Sequence, residues 1–220
     1  MSNKPDISSL LEPLLHRLAP ACLSENFVIE EFGRRFSSLG WSLRSVNLAL
    51  SSDEHAALIA AGILNPEALD VSGIARIHLL IQALQLLPTG EHAAFIDACF
   101  RSGDNLEREA LLRALMLLPL PERFISTTLD ACRVAVQTTF EAIACENAYP
   151  ATYFGTDAFC AMVLKALHLG VSVRRICGLA ARCDSNLKRM AAAFGSELTA
   201  AGKTTTPDIS YILDLEETTT

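Results

Sequence analysis

Apolar residues recur along most of the chain at intervals of three and four positions, the spacing that places them on one face of an α-helix. Segments that could form β-strands are few. Pro, Gly and capping residues such as Asp, Ser and Thr separate the apolar segments. The pattern therefore predicts an all-α chain, with helices at residues 6–19, 24–39, 52–62, 73–87, 91–101, 105–118, 121–145, 157–169, 172–181 and 186–201.

One helix start stands out in the middle of the chain. Asp104 is followed three residues later by Glu107, which is the pattern of a capping box. Pro119 and Pro121 then end that helix and begin the next one. The sequence therefore predicts that this helix starts near residue 105 and ends before Pro119, with an error of about two to four residues at each end.

The helical segments also repeat. Residues 82–88 return in similar form at 113–119, and a weaker copy lies at 165–169. A period in the low thirties is typical of a helix-turn-helix unit whose apolar faces are buried by stacking. We expect one HEAT-like domain of stacked antiparallel helical hairpins at 1–202, unless Leu-rich helices ending in Pro resemble one another by chance.

A polar, Thr-rich tail follows at 203–220. Its composition predicts that it does not pack, because little apolar surface is available for burial. The candidates for an anchor are Ile209, Tyr211, Ile212 and Leu213.

Composition and charge exclude several classes of protein. Leu and Ala dominate while Val is scarce, which favours helices over strands. The net charge of −7 repels phosphate backbones, so no nucleic-acid partner is expected. No uncharged run approaches the ~20 apolar residues that cross a bilayer, and charged residues interrupt the apolar segment 10–23 that could otherwise be a secretion signal. The sequence therefore predicts a cytoplasmic protein without a transmembrane segment.

Residue types that carry chemistry are scattered. The seven cysteines form no C-x-x-C pair, so we expect them to pack as small apolar residues in a reducing compartment. Glu12 and His16 are four residues apart, but no second such pair completes a metal site. Phosphate-binding, hydrolase and zinc-protease motifs are absent. The sequence predicts no metal, no cofactor and no catalytic activity.

One helix has an unusual composition. Residues 158–173 are apolar almost all round, which predicts a buried helix, yet Lys165 lies within it. Its ammonium group could reach solvent, pair with Glu141 or Glu146, or contact a ligand. The residues that share its face of the helix are Ala158, Ala161, Met162, His168 and Leu169.

The linker before that helix is rich in aromatic residues for a chain that is only 6% aromatic. Such a linker should pack over something, either the helix ends that it joins or a small molecule or partner. Together, the linker and the helix supply the candidate binding residues Glu146, Asn147, Tyr149, Tyr153, Phe154, Met162, Lys165 and His168.

The same segments carry a family resemblance. The linker motif Tyr-Pro-Ala-x-Tyr-Phe at 149–154, followed by Met-Val-Leu-Lys-Ala-Leu at 162–167, resembles the EboA family of bacterial metabolite-traffic proteins. Residues 109–119, 176–179 and 186–190 continue the likeness. The resemblance is good over residues 105–208 and poor over the first hundred.

The chain also departs from the family pattern. Phe159, Cys160 and Ala161 stand where family members tend to carry Trp-Asn-Gln, and Gly155 stands where they carry Pro. Two amide side chains near Lys165 are therefore missing, which indicates a divergent member. No catalytic residue can be transferred from the family.

The resemblance implies a helical, cytoplasmic, non-catalytic protein that helps to export a secondary-metabolite precursor. Its implied partners are other proteins of an Ebo-type pathway, among them a UbiA-like membrane prenyltransferase, and a hydrophobic metabolite. Two other functions compete with this interpretation. One is an enzyme that acts on a prenylated or glycosylated small molecule with Lys165 as its base; the other is a generic HEAT-like scaffold that binds proteins.

Overall fold

The computed structural model describes residues 7–23 and 27–216, and within them it contains α-helices but no β-strand. The all-α prediction is confirmed. No helix in these residues is long and apolar enough to cross a membrane. The helices are Ile7–Leu18 (α1), Phe32–Ser42 (α2), Ser52–Ala61 (α3), Val71–Leu86 (α4), His92–Ser102 (α5), Asn105–Ala114 (α6), Ile125–Arg133 (α7), Gln137–Ala144 (α8), Tyr149–Tyr153 (α9), Thr156–Leu169 (α10), Ser185–Ala200 (α11) and Pro207–Asp214 (α12).

The chain divides into two compact units, unit 1 at Met1–Ile143 and unit 2 at Ala144–Thr220. In unit 1, α4 is the central helix: nearly all its residues are buried, and it packs against α1, α2 and α6. A helix buried on all sides is expected to be apolar around its whole circumference, as α4 largely is. The HEAT-like order of the helices and the domain boundary at residue 202 stay predictions.

The predicted capping box at the start of α6 is present. The backbone N–H of Glu107 donates to Oδ1 of Asp104 at 2.8 Å, and the N–H of Asp104 donates to Oε2 of Glu107 at 2.9 Å. Both bonds satisfy N–H groups that a helix start leaves without intrahelical partners. This boundary could be predicted because its determinants lie within four residues of sequence.

Four predicted helices differ from the structure. The helix predicted at 105–118 starts where it is expected but ends at Ala114, before the two prolines. The described part of 24–39 is a 3₁₀ turn at Ile29–Glu31 followed by α2, and residues 24–26 lie outside the described residues. The segment 121–145 is a 3₁₀ turn and two helices, because Val134 is extended, with ψ 140°.

The predicted helix at 172–181 is replaced by two 3₁₀ turns, Val173–Arg175 and Ala180–Arg182. Gly178 lies between them with φ 71°, a left-handed conformation that ends regular helix. The segment is therefore a tightly folded connection between α10 and α11.

The tail packs where its composition predicts that it does not. Helix α12 buries Ile209 and Ile212, which are three residues apart on one face, and it packs against α11. Lys188 Nζ on α11 also donates to the carbonyl oxygen of Leu213 at 3.1 Å. A third anchor candidate also contacts its neighbours, because Cζ of Arg174 lies 3.9 Å from the ring centroid of Tyr211. Residues 217–220, like residue 6 of the first predicted helix, lie outside the described residues.

Candidate functional site

The aromatic linker of unit 2 forms a short helix, α9, instead of an irregular loop. The buried side chain of Asn147 accepts a hydrogen bond from the backbone N–H of Tyr149 at 3.0 Å, and Pro150 follows in the first turn. Tyr149 is fully buried, and its ring centroid lies 4.8 Å from that of Tyr153 and 6.3 Å from that of Phe154. The three rings form a packed cluster at edge-to-face and tilted angles.

An ion pair holds the chain just before α9. The carboxylate of Glu146 accepts from Nε of Arg175 at 2.7 Å and from Nη2 at 2.9 Å. The backbone N–H of Glu146 also donates to the carbonyl oxygen of Arg175 at 2.9 Å. Glu146 has φ 44°, a left-handed conformation that is uncommon for a residue with a side chain. The bidentate pair therefore stabilises a strained turn at the entrance to α9.

A second arginine contacts the backbone of α9. Nη1 of Arg182 donates to the carbonyl oxygens of Pro150 at 2.9 Å and Ala151 at 3.2 Å. The same guanidinium lies 4.4 Å from the ring centroid of Phe159, at the start of α10. Gly178 allows close approach, because a Cβ there would lie 2.7 Å from Cβ of Ala151. Arg182 thus joins α9 to α10, and no local sequence signal identifies this role.

The composition of α10 predicts a helix that is buried on all sides, and this prediction is wrong: six of its fourteen residues are buried, and the others are partly or fully exposed. Met162 is buried, Lys165 is half-buried, and His168 is exposed together with Ala161. The imidazole of His168 lies with its centroid 4.1 Å from the ring centroid of Phe194 on α11, and its Nδ1 is 2.8 Å from the carbonyl oxygen of Leu164. One face of α10 therefore meets solvent and presents Lys165 and His168.

Burial separates the candidate binding residues into two groups. Those that are buried can position neighbours but offer little surface to a ligand or partner. The buried candidates are Asn147, Tyr149, Phe154 and Met162. The accessible candidates are Glu146, Tyr153, Lys165 and His168.

The structure offers little for metal or thiol chemistry. Within the described residues, no group of three or more His, Cys, Asp or Glu side chains could hold a metal ion. All seven cysteines are free thiols. Burial raises the pKa of Cys99 to about 12 and also raises the pKa of Cys160 and Cys177, so these thiols stay protonated at neutral pH.

Comparison with known proteins identifies one family. The model of the family described as metabolite traffic protein EboA matches residues 20–214. The likeness therefore extends over most of the first hundred residues, although the motifs quoted from the sequence resemble the family poorly there. No curated protein and no solved structure matches the chain. The match covers most of both units and supports a general role in metabolite traffic. The chain therefore belongs to the EboA family of metabolite traffic proteins.

Proposed function

We propose that this protein is a non-catalytic, cytoplasmic binding protein that docks a partner or holds a hydrophobic metabolite during the traffic of a secondary-metabolite precursor. Its partners would be other proteins of an Ebo-type pathway, including a UbiA-like membrane prenyltransferase. The observation that carries the proposal is the fixed geometry of α9, which is held at its start by Glu146 and Arg175 and along its length by Arg182.

A segment held in this way is suited to binding. Ordering side chains and loops at an interface normally opposes association, so a segment that is ordered beforehand binds more tightly for the same contacts. Tyr153 ends α9 and is half-buried against Tyr149. Rigid, partly exposed tyrosines are common anchors of interfaces. Tyr153 is therefore the first contact residue that we assign.

Lys165 and His168 provide the second part of the proposed surface. They lie three residues apart on α10, so their side chains emerge on the same face. The stack of His168 on Phe194 adds an aromatic surface next to that face. This combination of a cation and aromatic rings suits a partner or metabolite that carries both a polar acceptor and apolar surface.

The double variant Tyr153→Ala, Lys165→Ala tests the assignment in cells that depend on the protein. Partner recovery by affinity isolation and export of the metabolite should both fall at least fivefold, because a fivefold loss corresponds to about 1 kcal/mol and a hot-spot residue contributes about 2 kcal/mol or more. The matched control is Tyr211→Ala, Lys203→Ala, which also removes one tyrosine and one lysine from unit 2. Circular dichroism checks that both variants stay folded. Unchanged recovery and export in the folded double variant, or an equal loss in the control, would reject this surface.

A further inference from the structure

The last turn of α2, in unit 1, carries the single tryptophan of the chain. Trp41 is 74% exposed, more than any other large apolar residue among those that the structure describes. Tryptophan is on average a well-buried residue, because its burial removes a large apolar area from water. The exposure of Trp41 therefore indicates a surface outside the protein that the indole contacts.

An arginine lies beside this ring, on the turn that follows α2. Cζ of Arg44 is 5.2 Å from the ring centroid of Trp41, within the range of a cation–π contact. Arg44 makes no hydrogen bond or ion pair with another described residue. A contact with the face of a ring leaves most N–H donors of a guanidinium free, and their planar arrangement suits phosphate oxygens. Trp41 and Arg44 thus place an apolar ring and a phosphate-binding cation side by side.

The helix itself supplies no charge that repels a phosphate group. Residues 32–52 contain no Asp or Glu, although the chain carries 25 of them. The nearest carboxylate before the helix, that of Glu31, is paired with Arg34 and Arg35. Apart from Trp41, the exposed residues of α2 are Gly33, Arg34, Ser37, Ser38 and Ser42.

An exposed indole can meet either a protein or a phospholipid bilayer. A stable protein interface needs about 800 Å² from each partner and an apolar core. The exposed part of α2 offers one large apolar side chain among glycine, serine and arginine, which is a poor core for such an interface. At the surface of a bilayer, in contrast, tryptophan rings lie at the level of the head groups, and basic side chains bind lipid phosphates. The composition of this face therefore favours the bilayer.

The packing of α2 limits how deeply it can enter a membrane. Its residues Phe32, Phe36 and Leu39 are buried, and the helix packs against α4. An amphipathic helix that lies in a membrane buries its whole apolar face there, which α2 cannot do while that face belongs to the core. Contact is therefore confined to the indole and the end of the helix, and it should be weak and reversible.

From this juxtaposition we infer that the end of α2 docks the protein reversibly on the phospholipid surface of a membrane. The indole of Trp41 lies among the head groups, and the guanidinium of Arg44 binds a lipid phosphate. The inference goes beyond the proposed function and does not rest on it, because docking concerns unit 1 and needs neither a protein partner nor a metabolite.

Fluorescence of the purified full chain measures docking directly, because the chain has one tryptophan. Vesicles of phosphatidylcholine mixed with phosphatidylglycerol should shift the emission to shorter wavelength and protect Trp41 from quenching by acrylamide. Vesicles of phosphatidylcholine alone should bind about fivefold more weakly, the effect of one arginine at an anionic surface. The titration is run at physiological ionic strength, where charges more than ~8 Å from the lipid are largely screened. An unchanged spectrum with both vesicles would overturn the inference.

Variants locate the contact in vesicle flotation. Trp41→Ala should weaken binding about tenfold, because the indole no longer leaves water. Arg44→Gln should weaken binding to the anionic vesicles about fivefold. The matched controls lie on α7 of unit 1: Ile125→Ala removes another exposed apolar side chain, and Arg133→Gln removes an exposed arginine that pairs with Asp130. Both controls should float like the natural chain, and circular dichroism checks that all four variants stay folded.

Three results would overturn docking on lipid. They are flotation of folded Trp41→Ala equal to that of the natural chain, equal losses in the α7 controls, and binding to native membranes that pure lipid vesicles do not reproduce. The last result would assign Trp41 to a membrane protein. The unit 2 double variant Tyr153→Ala, Lys165→Ala should float like the natural chain, so failure of the proposed function and failure of this inference are distinguishable.

Discussion

Replacement of Arg182 by alanine should loosen α9 without unfolding the rest of the protein. The change removes two hydrogen bonds to the carbonyl oxygens of Pro150 and Ala151 and one contact with the ring of Phe159. A hydrogen bond from a charged donor contributes about 1 kcal/mol at a half-buried site, and a cation–π contact contributes about 0.5–1 kcal/mol. The total loss is therefore about 2–3 kcal/mol, which raises the fraction of open α9 by roughly 30- to 150-fold.

Hydrogen exchange followed by mass spectrometry measures this opening directly. Peptides that cover residues 149–154 should exchange faster in Arg182→Ala by the same factor, while peptides from unit 1 should not change. In urea unfolding of Arg182→Ala, a lower midpoint with an unchanged slope would show that the contact also contributes to global stability.

Two control variants make the result decisive. Arg189→Ala removes an exposed guanidinium of unit 2 that bonds to Asn186, and it should change stability by less than about 0.5 kcal/mol. Arg182→Lys keeps the positive charge but loses the planar guanidinium group, so its loss of α9 stability should lie between zero and that of Arg182→Ala. Unchanged hydrogen exchange of α9 in Arg182→Ala, or a loss of stability no larger than that of Arg189→Ala, would show that Arg182 does not hold α9 in place.

Three further predictions concern single positions. Burial lowers the pKa of His78 below 6.5, although the negative charge of Glu12 opposes this shift. Just below pH 6.5, the imidazole is therefore protonated in the unfolded chain but neutral in the folded chain. Stability should therefore fall as the pH drops below about 6.5, by up to about 1.4 kcal/mol per pH unit, and urea unfolding of His78→Leu should show a smaller fall. Glu146→Gly should be more stable to urea than Glu146→Ala by about 1 kcal/mol, because glycine adopts φ 44° without strain. Asp104→Ala should lower the free energy of unfolding by about 1 kcal/mol, since it removes the N-cap bond.

Each of these has a result that would contradict it. The same pH dependence in His78→Leu and the natural chain would mean that other groups account for it. A less stable glycine variant at position 146 would mean that the turn is not strained. Equal midpoints for Asp104→Ala and Asp104→Asn would mean that the cap does not stabilise the protein, because asparagine also caps helices and alanine does not.

The fold could be predicted where its determinants are local. The capping box at Asp104 and the left-handed end of α10 at Gly170 mark helix ends through residues a few positions apart. The error at α12 arises because contacts distant in sequence decide the structure there. α12 forms because Ile209 and Ile212 pack on α11, and composition alone does not show that surface.

The sequence predicts which segment forms the candidate site, but not which of its side chains are exposed. The resemblance points to the aromatic segment, and Asn147 followed by Pro150 is a local signal for the start of α9. The sequence does not show that Tyr149 points into the core, nor that Arg182 crosses to the carbonyl oxygens of α9. The bond from Arg182 joins residues about 30 positions apart, so no periodicity or spacing rule identifies it.

The central claim is that Tyr153 contacts a partner or metabolite during traffic. A photo-reactive phenylalanine analogue placed at position 153 of the full chain, activated by light in cells, tests it most directly. We predict a covalent adduct, identified by mass spectrometry, that is absent when the same analogue replaces Tyr211. The absence of any adduct at position 153 in protein that still supports export, or the same adducts from both positions, would contradict the claim.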